Sequence, residues 1–245
     1  MTRFLVGIDD TDNTESRGTG HRSRTLRELL AGTGVEGAGI TRHQLLVDPR
    51  IPYTSHNSSA CLEVSCPAGR EAELIAACRA FLVRDSAPGS DAGLCVAQWQ
   101  RVDADVVGFG ERAKRSVLTA DEANDVASAH DLHLEGLTGD GGGVIGALAG
   151  VGLRAGGADG RFLWLPGLRD LRGIHRAGRL SEQLGLDAIE TETGRPAGRD
   201  DRVEVGEWPR PLLRGKRIVL IVEEGDHGEY DWIVSARSRI KQLSE

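Results

Sequence analysis

The order of hydrophobic patterns in the first hundred residues is the feature that most limits the possible folds. Short apolar runs that indicate strands alternate with segments whose apolar residues recur at helical spacing. The order is strand, helix, strand, strand, helix, strand, which is that of a ferredoxin-like β-α-β-β-α-β unit. The chain is therefore predicted to be an α+β protein. Strands are expected at 3–8, 40–47, 60–65 and 94–99, and helices at 21–30 and 70–82.

Residues 101–245 are expected to form a second α/β portion, packed with residues 1–100 into one compact unit that has its functional site between the two portions. Thr119, followed three residues later by Glu122, predicts a capping box at the start of a helix. A further helix is expected after the triple glycine 141–143. The other helices are expected at 104–117 and 119–129, and strands at 132–134, 161–164, 202–205, 217–223 and 230–235.

Charge and cysteine content narrow the functional classes. The net charge of −7 argues against a protein that binds nucleic acid through a general basic field. Lysine is rare, so phosphate contacts are expected from arginine, backbone N–H groups or a metal ion. The four cysteines form no CxxC pair, which predicts reduced thiols in a cytoplasmic protein without a structural zinc. The apolar run 4–8 is too short for a membrane span.

Three aspartates, Asp9, Asp10 and Asp12, directly follow the first predicted strand. Carboxylates this close together repel each other unless a cation or a proton relieves the repulsion. Oxygen ligands of this kind suit Mg²⁺, so all three are candidate metal ligands and catalytic residues. The alternative is an acidic turn that only caps the next element.

A glycine cluster at 136–160 holds 11 of the 33 glycines. Glycines permit close backbone approach, and the N-terminus of the helix that follows presents unpaired N–H groups to an anion. The candidate phosphate-binding residues are therefore Gly141, Gly142, Gly143, Val144 and Gly146. Gly141, Gly143 and Gly146 also match the G-x-G-x-x-G pattern of dinucleotide-binding folds, and a flexible turn is the third alternative.

The loop 48–59 combines two prolines with hydroxyl, amide and imidazole groups. Its part from Thr54 to Ser59 could hold an acceptor substrate, with His56 as the catalytic residue for proton transfer. A solvated surface loop would have the same composition.

Taken together, these three segments resemble the motifs of the archaeal tRNA-isoleucine agmatidine synthetases, the TiaS family. The counterparts are GIDDTDN at 7–13, DPRIPYTSHNSSA at 48–60 and GGGVIGALAG at 141–150. The resemblance implies that the second portion is a kinase-type domain. It also implies an ATP- and Mg²⁺-dependent enzyme that activates a carbonyl by phosphorylation before an amine attacks it.

By resemblance, the three aspartates serve Mg²⁺ and the triphosphate, and the glycine turn binds phosphates. The expected substrate is a small or nucleoside-like acceptor, and tRNA is a possible further partner. The chain also departs from the family pattern. No cysteine follows Cys95, so the zinc ribbon with which the family holds tRNA has no counterpart here. The family's threonine pair is replaced by RGTGHRSR, with Thr19 offset, and its loop lysine and arginine by Thr54 and His56.

Two other functions fit parts of the sequence. Residues 10–14 match the DxDxT motif of haloacid-dehalogenase-like phosphatases, with Asp10 as nucleophile and Asp12 as acid. A ferredoxin-like domain could also bind a nucleotide or RNA without catalysis. Such a domain is expected to show exposed aromatic side chains and a basic face. In this chain only 4% of the residues are aromatic.

Overall fold

The computed structural model describes residues 1–53, 56–226 and 228–244. The chain forms helices and strands in both halves, and the predicted α+β class is confirmed. It divides into two compact units, unit 1 at Met1–Gly156 and unit 2 at Gly157–Glu245. Each unit has its own hydrophobic core.

Unit 1 begins with the predicted β-α-β-β-α-β order, and then adds helices and one strand. Thr119 and Glu122 form the predicted capping box, in which each residue bonds the backbone of the other. The elements are β1 (Thr2–Asp9), α1 (Thr19–Ala31), β2 (Glu36–Gln44), β3 (Ser58–Cys66), α2 (Glu71–Asp85), β4 (Gly93–Gln98), α3 (Ala104–Ala113), α4 (Ala120–Ala129), β5 (His133–Gly136) and α5 (Val144–Gly156), with a 3₁₀ turn at Trp99–Arg101.

The sheet of unit 1 has the strand order β5-β4-β1-β3-β2. Each of these neighbouring pairs is antiparallel, as a ferredoxin-like unit requires. The register places Asp9, the last residue of β1, opposite Gly93, the first residue of β4. The acidic turn after β1 therefore lies beside the residues that lead into β4.

Helices cover both faces of this sheet. Successive side chains of a strand point to opposite faces, so the five consecutive buried residues from Phe4 to Ile8 require cover on both sides. Leu5 belongs to a core cluster with residues of α5, including Ala147 and Val151. Helices α1 and α2 pack against each other and against β2, β3 and β4.

Helix α5 lies unusually close to β1. A methyl group placed on Gly7 would lie 2.0 Å from the backbone oxygen of Ala147, so only glycine fits there. This close approach brings the glycine turn before α5 to the ends of β1 and β4. The predicted boundary between residues 100 and 101 thus falls inside unit 1, because β5 pairs with β4 and α5 packs on β1, β3 and β4.

Unit 2 is a smaller α/β unit around β11, which pairs with three strands: antiparallel with β10 and β12, and parallel with β8. The four strands predicted at 161–164, 202–205, 217–223 and 230–235 are present as β6, β9, β11 and β12. The elements are β6 (Arg161–Trp164), β7 (Gly173–Arg176), α6 (Ala177–Leu184), β8 (Ala188–Glu190), β9 (Arg202–Val205), β10 (Leu212–Arg214), β11 (Arg217–Glu224), β12 (Trp232–Val234) and α7 (Arg237–Leu243).

The sequence patterns missed β7, α6, β8, β10 and α7 in unit 2. The three strands have only three or four residues, too few to show a period. The two helices begin after Arg176 and Ala236, and neither residue provides a side-chain cap that would indicate a helix start.

Candidate functional site

The end of β1 places two of the three aspartates in one cavity. Asp10 has a φ of 48°, a left-handed conformation that ends the strand and that aspartate adopts more readily than most residues. Asp9 and Asp10 both line a cavity of about 250 Å³ in unit 1. Two further carboxylates, those of Asp91 and Asp140, line the same cavity.

The remainder of the cavity wall is mainly apolar. Leu45 and Ile51 come from the loop after β2, and Leu118 and Ile145 from the second half of unit 1. The cavity wall therefore combines four carboxylates with a mainly apolar remainder. The other lining residues are Pro52, Asn57, Ala113, Ser116, Gly142, Gly143 and Gly146.

The pKa values of Asp9 and Asp10 are raised in this cavity. Burial raises the pKa of Asp9 to about 7, and the negative charges of Asp10 and Asp12 add to this rise. Burial also raises the pKa of Asp10 to about 6, and the charges of Asp91, Asp12 and Asp140 reinforce the effect. A bound cation would lower the pKa of Asp9 and Asp10 and so favour their ionised forms.

The glycine turn lies against these aspartates with no space for side chains. A methyl group on Gly146 would lie 1.7 Å from Asp9 Oδ2, and one on Gly143 would lie 2.5 Å from the backbone oxygen of Asp91. Gly139 and Gly141 have φ values of 57° and 76°, which favour glycine. The glycines are thus required for the approach of the turn to Asp9 and Asp91.

The sequence predicts unpaired N–H groups at the start of α5, but in the structure these groups donate hydrogen bonds. The N–H of Gly142 donates to Asp140 Oδ1 at 2.8 Å, and the N–H of Gly143 donates to the backbone oxygen of Asp91 at 2.9 Å. Val144 and Ile145 donate to oxygens of the turn over longer distances of 3.2 and 3.3 Å. An anion at this turn would replace these two long bonds most easily, since they are the weakest of the four.

Asp12 and His56 lie apart from this cavity. Asp12 Oδ1 accepts hydrogen bonds from the Thr19 N–H at 3.0 Å and from Thr19 Oγ1 at 2.8 Å, at the start of α1. Asp12, Thr19 and His56 line a second cavity of about 80 Å³, together with Arg42 and Ser58. The structure thus separates Asp12 and His56 from Asp9 and Asp10. Thr54 and Ser55 of the polar loop lie outside the described residues.

This arrangement bears on two of the alternative functions. Asp10 and Asp12, the two aspartates of the phosphatase motif, line different cavities, although the charge of Asp12 still contributes to the raised pKa of Asp10. A dinucleotide-binding fold requires parallel strands, whereas β1, β3, β4 and β5 pair only in antiparallel fashion within the described sheet of unit 1.

Sequence reasoning missed Asp91 and Asp140. Asp91 precedes β4, and in a ferredoxin-like sheet the start of β4 lies beside the end of β1. The predicted strand order therefore contained the signal for Asp91. Asp140 lies inside the glycine turn itself, where its side chain accepts the Gly142 N–H.

The residues that the structure describes contain one group with three potential metal-ligand atoms within 4.8 Å of one another. It consists of Asp103, Asp105 and His130, of which the two aspartates are exposed. The aspartates of the 250 Å³ cavity form no such closed set among the described residues. A cation there would need additional ligands from a substrate, as is usual for Mg²⁺ with nucleotides.

All four cysteines are free thiols and buried. Burial raises the pKa of Cys78 and of Cys95 to about 12, so these thiols are protonated near neutral pH. In the described part of the chain, every helix falls short of the length and apolar character that crossing a bilayer demands.

Comparison with known proteins gives structural similarity without a sequence match. No family model matches this sequence, and no curated protein matches it. A crystal structure of TiaS with an isoleucine tRNA and ATP superposes with a TM-score of 0.53 at 24% identity, over 62% of this chain and 36% of that chain. A tRNA fluorescent labelling enzyme gives a TM-score of 0.51 at 25% identity, over 61% and 36%.

Apo TiaS, an agmatidine synthetase of isoleucine tRNA, gives a TM-score of 0.50 at 24% identity, over 61% of this chain and 35% of that chain. This chain thus spans little more than a third of the length of these solved structures. The similarity shows a shared fold over about three fifths of the chain.

Proposed function

We propose that the chain is an ATP- and Mg²⁺-dependent transferase or ligase whose active site is the 250 Å³ cavity of unit 1. One observation carries the proposal: Asp9 and Asp10 line a single cavity together with the glycine turn before α5. Carboxylates repel a triphosphate unless a cation lies between them, so this combination fits a metal–nucleotide complex. The TiaS-like fold, solved in complex with ATP, supports the same function.

The donor set of the cavity fits Mg²⁺. Its oxygen donors are hard ligands, and burial together with the neighbouring carboxylates raises the pKa of Asp9 and Asp10, which a cation would counteract. Asp9 and Asp10 would hold the ion, because both lie at the end of β1 beside the glycine turn. When bound, Mg²⁺ supplies neutralisation of the phosphate charge in phosphoryl transfer.

The protein's own groups would then orient the nucleotide. The turn from Gly141 to Gly143 would present backbone groups rather than side chains to the phosphates. Gly146, which has no side chain, allows the first turn of α5 to lie against Asp9. Leu45, Leu118 and Ile145 offer an apolar surface suited to a nucleobase.

The acceptor would bind beside the second cavity. Segment 56–58 lines both cavities: Asn57 faces the first, and His56 and Ser58 face the second. His56 is exposed there and within reach of a substrate for proton transfer. The proposed acceptor is a small or nucleoside-like molecule, and its reaction is either phosphorylation or activation of a carbonyl.

A tRNA is the proposed carrier of such an acceptor. Arg17 lies just before α1, and Arg22 and Arg24 lie in its first two turns, close in sequence to residues 18–20 that line the second cavity. The charges of the three arginines add to burial in lowering the pKa of His21. In a chain of net charge −7 this is a local positive surface suited to phosphates. The solved neighbours include TiaS bound to an isoleucine tRNA.

Calorimetric titration with Mg·ATP tests the central proposal. Asp10→Asn should weaken binding by at least about tenfold, and asparagine adopts the left-handed conformation of this position as readily as aspartate does. Asp121→Asn, at an exposed position of α4, serves as the matched control and should bind like the wild type. Absence of binding in the wild type, or equal binding in Asp10→Asn, would refute the proposal.

Two further measurements separate the alternatives. Hydrolysis of p-nitrophenyl phosphate with Mg²⁺ would favour the phosphatase, and the proposed function predicts none. Fluorescence anisotropy with labelled tRNA should show salt-dependent binding that Arg17→Gln weakens and Arg84→Gln, on the exposed surface of α2, does not. Equal tRNA affinity in both variants would show that the region around α1 does not contribute to tRNA binding.

A further inference from the structure

Asp91 lies between the two parts of the cavity. Its backbone oxygen accepts the N–H of Gly143 at 2.9 Å, and its Oδ1 accepts the N–H of Asp140 at 2.8 Å. Asp91 also lies just before β4, which pairs with the end of β1, and it lines the cavity together with Asp10. One residue therefore bonds the glycine turn before α5, and the strand pairing keeps it beside the acidic turn after β1.

The residues on both sides of Asp91 hold the same turn. Thr138 Oγ1 donates to the backbone oxygen of Ser90 at 2.6 Å and accepts the N–H of Ala92 at 2.9 Å. The N–H of Leu137 donates to the backbone oxygen of Ala92 at 2.8 Å. Segment 90–92 thus forms hydrogen bonds with residues at both ends and in the middle of segment 137–143. We call this set of hydrogen bonds the clamp.

The turn has the shape that this clamp requires. Gly139 has a φ of 57°, and a methyl group on it would lie 1.7 Å from Asp91 Oδ1. The Asp91 carboxylate is therefore packed directly on the glycine backbone. Its Oδ1 is occupied by the turn, because it accepts the Asp140 N–H there.

We propose that Asp91 is a positioning residue that fixes the glycine turn relative to Asp10, and that it acts through the acceptor oxygen of its side chain and not through its charge. This inference rests on the proposed function of the cavity and adds to it the element that keeps the metal-binding and phosphate-binding parts together. A residue that stabilised the cation by its charge would need the carboxylate, whereas a residue that holds the turn needs only an oxygen acceptor.

Two substitutions separate these roles. Asp91→Asn keeps an acceptor oxygen for the Asp140 N–H and removes the charge, whereas Asp91→Ala removes both. In calorimetric titration with Mg·ATP, we expect Asp91→Asn to bind within about threefold of the wild type and Asp91→Ala to bind at least about tenfold more weakly. Equal loss in both variants, or no loss in Asp91→Ala, would overturn the proposal.

Thr138→Val provides a test outside the cavity. It removes two neighbouring hydrogen bonds of the clamp without altering a cavity-lining side chain. If the position of the turn matters, this variant should also weaken Mg·ATP binding, by about tenfold. Unchanged binding in Thr138→Val would contradict the proposed role of the clamp.

Amide hydrogen exchange in the free protein makes the result independent of nucleotide binding. Exchange of segment 137–143 should accelerate by at least about tenfold in Asp91→Ala and stay near the wild-type rate in Asp91→Asn. If the wild type does not bind Mg·ATP, the proposed function fails while the exchange data still test the clamp. Equal exchange rates in wild type and Asp91→Ala would refute the clamp itself.

Discussion

Replacing Gly146 by alanine tests whether the first turn of α5 has to lie against Asp9. The new methyl group would lie 1.7 Å from Asp9 Oδ2, 2.5 Å from its Cγ and 3.0 Å from its Cβ. Because non-bonded contacts are favourable only beyond about 3.5 Å, the carboxylate would have to move by about 2 Å. The whole end of the Asp9 side chain would leave its present position.

The expected magnitudes separate stability from binding. Alanine in place of glycine inside a helix contributes about 1 kcal/mol of stability by itself. Moving the Asp9 carboxylate out of its present environment costs about 1–3 kcal/mol, so the net loss of unfolding free energy should stay below about 2 kcal/mol. Mg·ATP affinity should nevertheless fall by at least about tenfold, since Asp9 would no longer face the cavity.

Urea denaturation and calorimetric titration of the same preparations provide the two readouts. Gly108→Ala in α3 is the matched control, because nothing lies within 4 Å of the methyl group that it would add. This control should gain about 1 kcal/mol of stability and bind Mg·ATP like the wild type. If Gly146→Ala gained stability in the same way and kept its affinity, the close contact between α5 and Asp9 would be refuted.

Three further predictions concern stability. In metal-free protein, the pKa of Asp9 is raised to about 7, so the folded form binds its proton more tightly than the unfolded chain, and stability should fall as pH rises from about 4 to 7. Asp9→Asn should flatten this decline and make the protein about 1–3 kcal/mol more stable at pH 8 in urea denaturation; an unchanged pH profile would contradict the raised pKa. Gly7→Ala should destabilise unit 1 by about 3 kcal/mol in the same assay, because its methyl group would meet the Ala147 backbone, and a change near zero would show that α5 can move away from β1. Thr119→Ala should cost about 1 kcal/mol in thermal denaturation by removing the capping box, with Thr119→Ser as a control that retains the cap.

The order of elements in unit 1 could be predicted because it depends on local patterns. Alternating and helical periods recur along the chain, and the capping box of Thr119 and Glu122 involves residues three positions apart. In unit 2 the local patterns do not indicate three strands of three or four residues, or two helices that lack a side-chain cap at their start.

The structure brings some of the predicted site residues together and places others elsewhere. Asp9, Asp10 and the glycine turn lie together, and burial, reinforced by neighbouring carboxylates, raises the pKa of both aspartates. Asp12 was expected beside them, but its hydrogen bonds with Thr19 hold it at the start of α1. Spacing along a turn does not reveal which way each side chain points.

The sequence by itself determined which chemical groups are available: three aspartates after a buried strand, a glycine turn before a helix and few lysines. Only the tertiary structure decided which of these groups share a cavity. Antiparallel pairing brought Asp91 beside the end of β1, and the packing of α5 on Gly7 brought Asp140 to the same place, although Asp140 is far from Asp10 along the chain. Such contacts depend on strand register and on close helix packing, and these are set by the whole fold and not by any local segment.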